Sequence, residues 1–334
     1  MEGLVPGRPL QYLLSIQIIQ KHTAMKLGKL ALCLLLVGGL SASCIKEDNS
    51  SCYNIYRLAF SYNGDGATDI FPEKIGSVDM YVFDQNSNCV SSTRLSEAEV
   101  EAQLTTLPPL EAGNYRIVCV GNAYETKVEN IDSKDLSNIT FAAEDYINGE
   151  MVSGNDSLYW SAIDYSIEPF SEYKTVETRT TEFASSHYDV YVEVVNAPAK
   201  IGKNPKIELV GVSPQTDFNN KAKGQATNYI MSTVHDGLKT TTASNNIMRH
   251  KNHEDVYLKV TGEDGSQVAM INFAAHIEKY KEYIDTELNE CLIPFRIEFG
   301  TPDYPIFNED EICIDVTVTV PSWVIEHVTP DFNN

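Results

Sequence analysis

Two stretches alternate apolar and polar residues with a period of two, and this restricts the chain to strands that must find partners. Residues 53–62 put Tyr56, Leu58, Phe60 and Tyr62 on one face, and residues 187–195 (HYDVYVEVV) repeat the pattern. Successive side chains on a strand point to opposite faces, so segments of this kind build sheets with one face in a core. Residues 78–83 (VDMYVF) and 115–122 (YRIVCVGN) read as further strands of the first half. Residues 206–210, 256–260, 267–273, 293–299 and 312–320 add five to the second. Strands at this spacing predict an all-β sandwich class.

Helices are expected only as short insertions. Ser96-Glu97-Ala98-Glu99 is a capping box, and the spacing predicts a helix through Leu104, with Val100 and Leu104 on one face. Ile277, Tyr280 and Ile284 recur at helical spacing, so residues 276–290 predict a helix or ordered loop between strands. Asn63-Gly64-Asp65-Gly66 and residues 84–88 carry turn chemistry. The alternation that restarts at His187 follows a polar stretch, residues 177–186, which places a domain junction near residue 180. The expected domains are 52–180 and 181–334.

Residues 25–43 have the form of a secretory signal. Lys26 and Lys29 precede an apolar run, Leu30 to Leu40, and small residues Ser41-Ala42-Ser43 stand directly before Cys44. The run is shorter than the roughly 20 residues a membrane-spanning helix needs. Small residues before a cysteine at this point resemble the lipobox of bacterial lipoproteins, in which the thiol is acylated and the cysteine becomes the N-terminus. Several acyl chains on Cys44 would hold stably where one holds only marginally. Lys46, Glu47 and Asp48, in the linker 44–51, resemble the signal that sends some Gram-negative lipoproteins to the outer face of the outer membrane. Residues 1–24 precede a complete signal and read as an upstream start assignment.

Charge excludes some partners. Asp and Glu outnumber Lys and Arg 47 to 25, a formal net charge of −22. Loss of residues 1–43 removes Arg8, Lys21, Lys26 and Lys29 but only Glu2, so the remainder is more acidic still. Such a surface repels nucleic acid and anionic membranes. Beyond the signal and Cys44 lie Cys52, Cys89, Cys119, Cys291 and Cys313, an odd number that leaves at least one thiol unpaired. Cys291 with Cys313, and two of the first three, are the candidate pairs. No CxxC is present to suggest a zinc ribbon or thioredoxin-type centre.

The succession of VDMYVFD (78–84), a short helix and LPPLEAGNYRIVCVGN (107–122), after Cys44 and the nearby Cys52, resembles the fimbrillin-associated anchor proteins of the FimB/Mfa type, from the type V fimbriae of anaerobic Gram-negative bacteria. A weaker likeness returns at ICIDVTVTV (312–320) followed by Trp323. The resemblance implies two tandem transthyretin-like β-sandwiches and a place at the base of a surface filament. It also implies pilin subunits as partners, joined by strand addition. Val316, Val318 and Val320 are the candidates for the wall of a receiving groove, and ordinary core packing explains them equally well.

Enzyme motifs are missing: the sequence holds no Gly-rich phosphate loop, no HExxH and no GxSxG. The reading is a non-enzyme with no cofactor. His250, His253, Glu254 and Asp255 lack a defined ligand set for a metal, and Asn63, Asp65 and Asp69 do not fit an EF-hand, so both read as polar loops. The alternative function is a surface glycan-binding lipoprotein of a nutrient-uptake system. It would need exposed coplanar aromatics around Trp160, with Tyr159 and Tyr165, or around Trp323. A lipid-anchored hydrolase is the third reading and would need carboxylates converging in a cleft.

Overall fold

A computed structural model describes residues 54–169, 175–249, 253–300 and 316–328. The first half runs β1 (Ile55–Ser61), α1 (Phe71–Lys74), β2 (Val78–Phe83), β3 (Cys89–Arg94), α2 (Glu97–Glu101), β4 (Leu104–Thr106), β5 (Gly113–Gly121), β6 (Thr126–Glu129), β7 (Thr140–Ala143), α3 (Glu144–Ile147), β8 (Tyr159–Ile167), β9 (Val176–Glu182) and β10 (Ala184–Ser185). The second half runs β11 (His187–Val195), β12 (Lys206–Val212), β13 (Gln215–Asp217), β14 (Ala222–Lys223), β15 (Thr227–Met231), β16 (Thr233–His235) and β17 (Thr240–Met248). It continues with β18 (Tyr257–Thr261), β19 (Gln267–Asn272), α4 (Phe273–Lys279), β20 (Leu292–Phe299), β21 (Val316–Thr319) and α5 (Ser322–Val328). The class is all-β, as the alternation predicts.

In the first half a five-stranded sheet, β10-β8-β5-β2-β3, has its central strands β2 and β5 buried on both faces. Val78, Met80 and Val82 of β2, with Ile117 and Cys119 of β5, pack with Leu58 and Phe60 of the sheet β4-β1-β9. Tyr81 and Phe83 of β2, with Val118 and Val120 of β5, turn the other way into a second core. That two-sided burial explains why β2 is apolar at nearly every position rather than at alternate ones.

In the second half the sheets β16-β17-β11-β20-β21 and β15-β12-β18-β19 enclose a core that includes Val190, Val192 and Val194 of β11, Leu209 of β12, Leu258 of β18 and Phe295 of β20. β11 runs antiparallel to β17 and parallel to β20.

A fifth sheet, β14-β13-β7-β6, is built from both halves, with Thr216 of β13 opposite Phe141 of β7. Phe218, which follows β13, enters the second core of the first half. Its ring stacks on Phe141 at 4.3 Å and meets Tyr81 and Phe83 edge-on at 5.1 and 5.7 Å. Residues on either side of position 180 therefore share a sheet and an aromatic cluster.

Several local expectations need correction. The capping box forms, with Glu99 accepting from the Ser96 amide at 2.9 Å, but the helix stops at Glu101. Gln103 takes a left-handed backbone (φ 50), and Leu104 joins β4 opposite Ala59. Pairing the backbone groups of β1 outweighs another helical turn, although Ala102, Gln103 and Leu104 are good helix formers. The polar stretch before His187 is largely strand: β9 pairs in parallel with β1, and its polarity is that of a sheet edge.

Cys89 and Cys119 cannot pair, because Cys119 faces the first core of the central sheet and Cys89 packs against the second. Cys52 and Cys313 lie outside the described residues. Burial pushes the thiols of Cys119 and Cys291 up to about 12, so neither supplies a reactive thiolate at neutral pH. A brief iodoacetamide pulse on the native protein should label the half-buried Cys89 ahead of both, as read by peptide mass spectrometry. Equal labelling of Cys119 would contradict the packing described.

Candidate partner-binding edge and the contacts around it

Sheet edges are where one chain can receive another, since an edge strand leaves half its backbone groups unpaired. Among the described residues β21 is such an edge, hydrogen-bonded to β20 on one side, with Val318 opposite Ile297 and Val316 opposite Phe299. Val320 is buried in the second-half core and Val316 packs against it. The three valines thus line the core side of the edge, where a strand laid beside β21 would set its own alternate side chains. One point is already occupied: the Val318 carbonyl accepts from the Tyr280 hydroxyl at 2.8 Å and from Lys279 at 3.3 Å, both at the end of α4.

Beyond β21 the chain folds back as α5. The Trp323 ring meets Tyr191 of β11 edge-on at 5.7 Å, and its indole nitrogen donates to Glu193 at 3.4 Å. Glu193 also holds Arg296 of β20 at 2.9 Å. The two rings are inclined at 74°, so Trp323 offers no coplanar aromatic platform. Trp160 offers none either. Tyr159 and Tyr165 enter the first core, whereas Trp160, on the opposite face of β8, packs against the second and donates to the Phe218 carbonyl at 3.1 Å.

The titratable side chains that converge do so to hold the halves together. Glu290, just before β20, accepts from Lys74 of α1 and from the Tyr62 hydroxyl at the end of β1. Burial alone would raise its pKa, but those donors hold the carboxyl below the usual range. Tyr62 is pushed up, by burial first and by Glu290 second. The turn at residues 63–66, read from the sequence as a polar loop, completes the clasp: Asp65 accepts from the backbone amides of Asn289 and Glu290 at 2.7 and 2.9 Å, and the Asn289 side-chain nitrogen donates to the Gly64 carbonyl at 3.0 Å. Asp69 accepts from the amides of Tyr62 and Phe71, both at 3.0 Å, and from Gln103 at 2.7 Å. Among the described residues no group of three or more His, Cys, Asp and Glu side chains is arranged to hold a metal. His253 is buried beside the Tyr188 ring, 5.6 Å between centroids, and His250 lies outside the described residues.

Nothing in the sequence marks Glu290, Phe218 or Asn289 as joining residues, because each acts through a partner on the other half of the chain. A polar cleft of about 550 Å³ also lies between the halves, lined in part by Asn155, Asp156, Tyr191 and Asn246. Much of its chemistry is spent internally. Asp156 accepts from the amides of Tyr124, Glu125 and Thr126, each at 2.9 Å, and Asn246 donates to Ser157 at 2.6 Å. Cys44, Lys46, Glu47 and Asp48 lie outside the described residues. No helix among the described residues is long and apolar enough to cross a membrane.

The sheets, and the polar side chains that join one half to the other, define an all-β protein whose two halves form one compact unit from Asn54 onward. The chain belongs to the fimbrillin-A associated anchor proteins Mfa1 and Mfa2, whose family model matches residues 49–329. That family is structural rather than catalytic, and membership associates the chain with cell-surface fimbria and their subunits. Among solved structures, it is similar to the fimbrial anchor protein Mfa2 of Porphyromonas gingivalis, at 14% identity over 80% of this chain and 98% of that one, with a TM-score of 0.62. A proposed adhesin from Bacteroides ovatus gives 16% identity, 74% and 89% coverage and a TM-score of 0.60. A proposed polysaccharide-binding protein from Bacteroides thetaiotaomicron gives 14%, 75% and 92%, and 0.58. At these identities the likeness is one of fold. No curated protein matches the chain.

Proposed function

We propose that this chain is an outer-membrane lipoprotein that anchors a surface fimbrium, fixed to the membrane through acylated Cys44 and to the filament through strand addition by a pilin subunit. The observation that carries the reading is the family match across residues 49–329, to which the sequence adds a lipoprotein-type signal ending at Cys44. Lys46, Glu47 and Asp48 would direct the protein to the cell surface, and residues 52–180 and 181–334 would serve as its two lobes. The receiving edge is β21: main-chain hydrogen bonds would join the subunits, and side chains beside Val316, Val318 and Val320 would give specificity. Entry of a strand there requires the Tyr280 and Lys279 contacts to the Val318 carbonyl to give way. An anchor of this kind also bears on assembly and length, since the first subunit it holds sets where growth begins.

The test is Cys44→Ala in the native host, with filaments counted by electron microscopy on cells and in the medium. The expected result is filaments shed into the medium. Filaments retained on cells that are shown to make the variant would overturn the anchor reading.

A further inference from the structure

We infer that the parallel pair β1/β9 is a mechanical clamp that carries tension between the membrane end of the chain and the second half; the inference rests on the anchor reading for the source of the load. The topology supplies the argument. β1 is the first described strand, and β9 continues through β10 directly into β11, the central strand of the second half's main sheet. β1 and β9 pair in parallel over seven positions, from Ile55 opposite Val176 to Ser61 opposite Glu182. A membrane tether pulls β1 from its N-terminal end. A load on the second half pulls β9 from its C-terminal end.

Two parallel strands drawn from opposite ends slide along each other, so every hydrogen bond between them is loaded together. Strands drawn apart from the same end open one bond at a time. Parallel ladders space their bonds evenly, which distributes a sliding load along the whole register, and resistance to forced unfolding is a matter of the unfolding rate rather than of equilibrium stability.

The ladder is bounded by the Ile55 amide to the Thr175 carbonyl and the Phe183 amide to the Ser61 carbonyl, both at 2.8 Å. That phase turns the amides and carbonyls of Arg57 and Ala59 toward β9 and leaves those of Tyr56 and Phe60 for the β4 side. There the Leu107 amide donates to the Tyr56 carbonyl at 2.8 Å and the Phe60 amide to the Gln103 carbonyl at 2.9 Å.

Side chains keep the pair from sliding. Leu58 and Phe60 project from β1 into the first core, and Phe183, just past β9, packs on Phe60 and Phe71 at 5.9 and 5.5 Å. From the facing sheet, the Tyr165 hydroxyl reaches the Arg57 carbonyl of β1 at 3.2 Å and the Glu177 carbonyl of β9 at 3.4 Å, while the Arg179 guanidinium lies 4.5 Å over its ring. Tyr165 thus pins both strands of the ladder at once. Past the far end of β1, the clasp of Tyr62 and Asp65 on Glu290 and Asn289 resists the same displacement.

Single-molecule pulling on the purified chain tests this directly. One handle is attached ahead of residue 54 in every case; the second is an azide-bearing residue replacing either Asn196, just beyond β11, or Val176, at the start of β9. The first geometry slides the ladder and the second peels it. At one pulling speed the sliding geometry is expected to rupture at about threefold higher force, and Tyr165→Phe to lower the sliding force. Equal rupture forces in the two geometries of the unmodified sequence would overturn the clamp, and that comparison requires no destabilising variant. The outcome is independent of filament retention in the Cys44→Ala strain, so the clamp and the anchor can fail separately.

Discussion

Phe218→Ala should weaken the protein by about 3–5 kcal/mol, the range for truncating a fully buried aromatic, and should uncouple its two halves. The ring is wholly buried and belongs to a core otherwise drawn mainly from the first half, among Tyr81, Phe83, Val118, Val120 and Phe141. Its backbone follows the strand that pairs with β7, and its carbonyl accepts a hydrogen bond from the Trp160 indole nitrogen. Truncation therefore opens a cavity in one half while loosening the segment the other half contributes. Calorimetry should show the wild-type chain melting largely as one unit, and the variant melting earlier and in two steps. Trp160 is one of only two tryptophans, so its fluorescence should shift to the red at the first step. A variant that keeps one transition at the wild-type temperature would refute the view that Phe218 joins the halves.

What the sequence reveals of this architecture follows from how each strand is buried. β1 and β11 each have one face in a core and one toward solvent or a polar contact, and their alternation is plain. β8 is harder to read. Both its faces are covered, yet Ser161, Asp164 and Ser166 interrupt it, so its aromatics attract attention as a surface platform when they are packing groups on opposite faces. β9 (VETRTTE) is polar because it is an edge, and a polar edge resembles a linker until its partner is known. The segment from β13 to β16 consists of strands of two to five residues, too short for any period to establish itself. The strand β21 itself is legible as a run of alternating valines. Its covering by Tyr280 and Lys279 is not, since that depends on where a helix nearly 40 residues earlier comes to rest.

Acidification from about pH 6.5 to pH 4 should cost the protein about 3 kcal/mol through His276 alone. The ring is 3% exposed, stacks on Phe295 at 4.1 Å and donates from Nε2 to the Pro294 carbonyl at 2.8 Å. Burial in these apolar surroundings disfavours the imidazolium and lowers the pKa from 6.5 to about 4; the Pro294 bond opposes the shift and the Lys279 charge adds to it. Between those two values the unfolded chain binds a proton that the folded chain refuses, so stability falls as pH falls. His187 acts in the same direction, driven chiefly by its own burial and opposed by its bond to the Leu158 carbonyl and by Asp189, 3.6 Å away. The paired carboxylates are separate: Glu290, Asp69 and Glu99 have folded pKa values below their ordinary ones, so their stabilisation is lost only as pH drops further. Chemical denaturation at a series of pH values resolves the two regimes, because His276→Gln keeps a donor for Pro294 but has nothing to titrate. In that variant the slope of stability between pH 6.5 and 4.5 should shrink by roughly 1.4 kcal/mol per pH unit. An unchanged slope would mean that His276 charges freely in the folded protein and that its burial is not as tight as the packing on Phe295 implies.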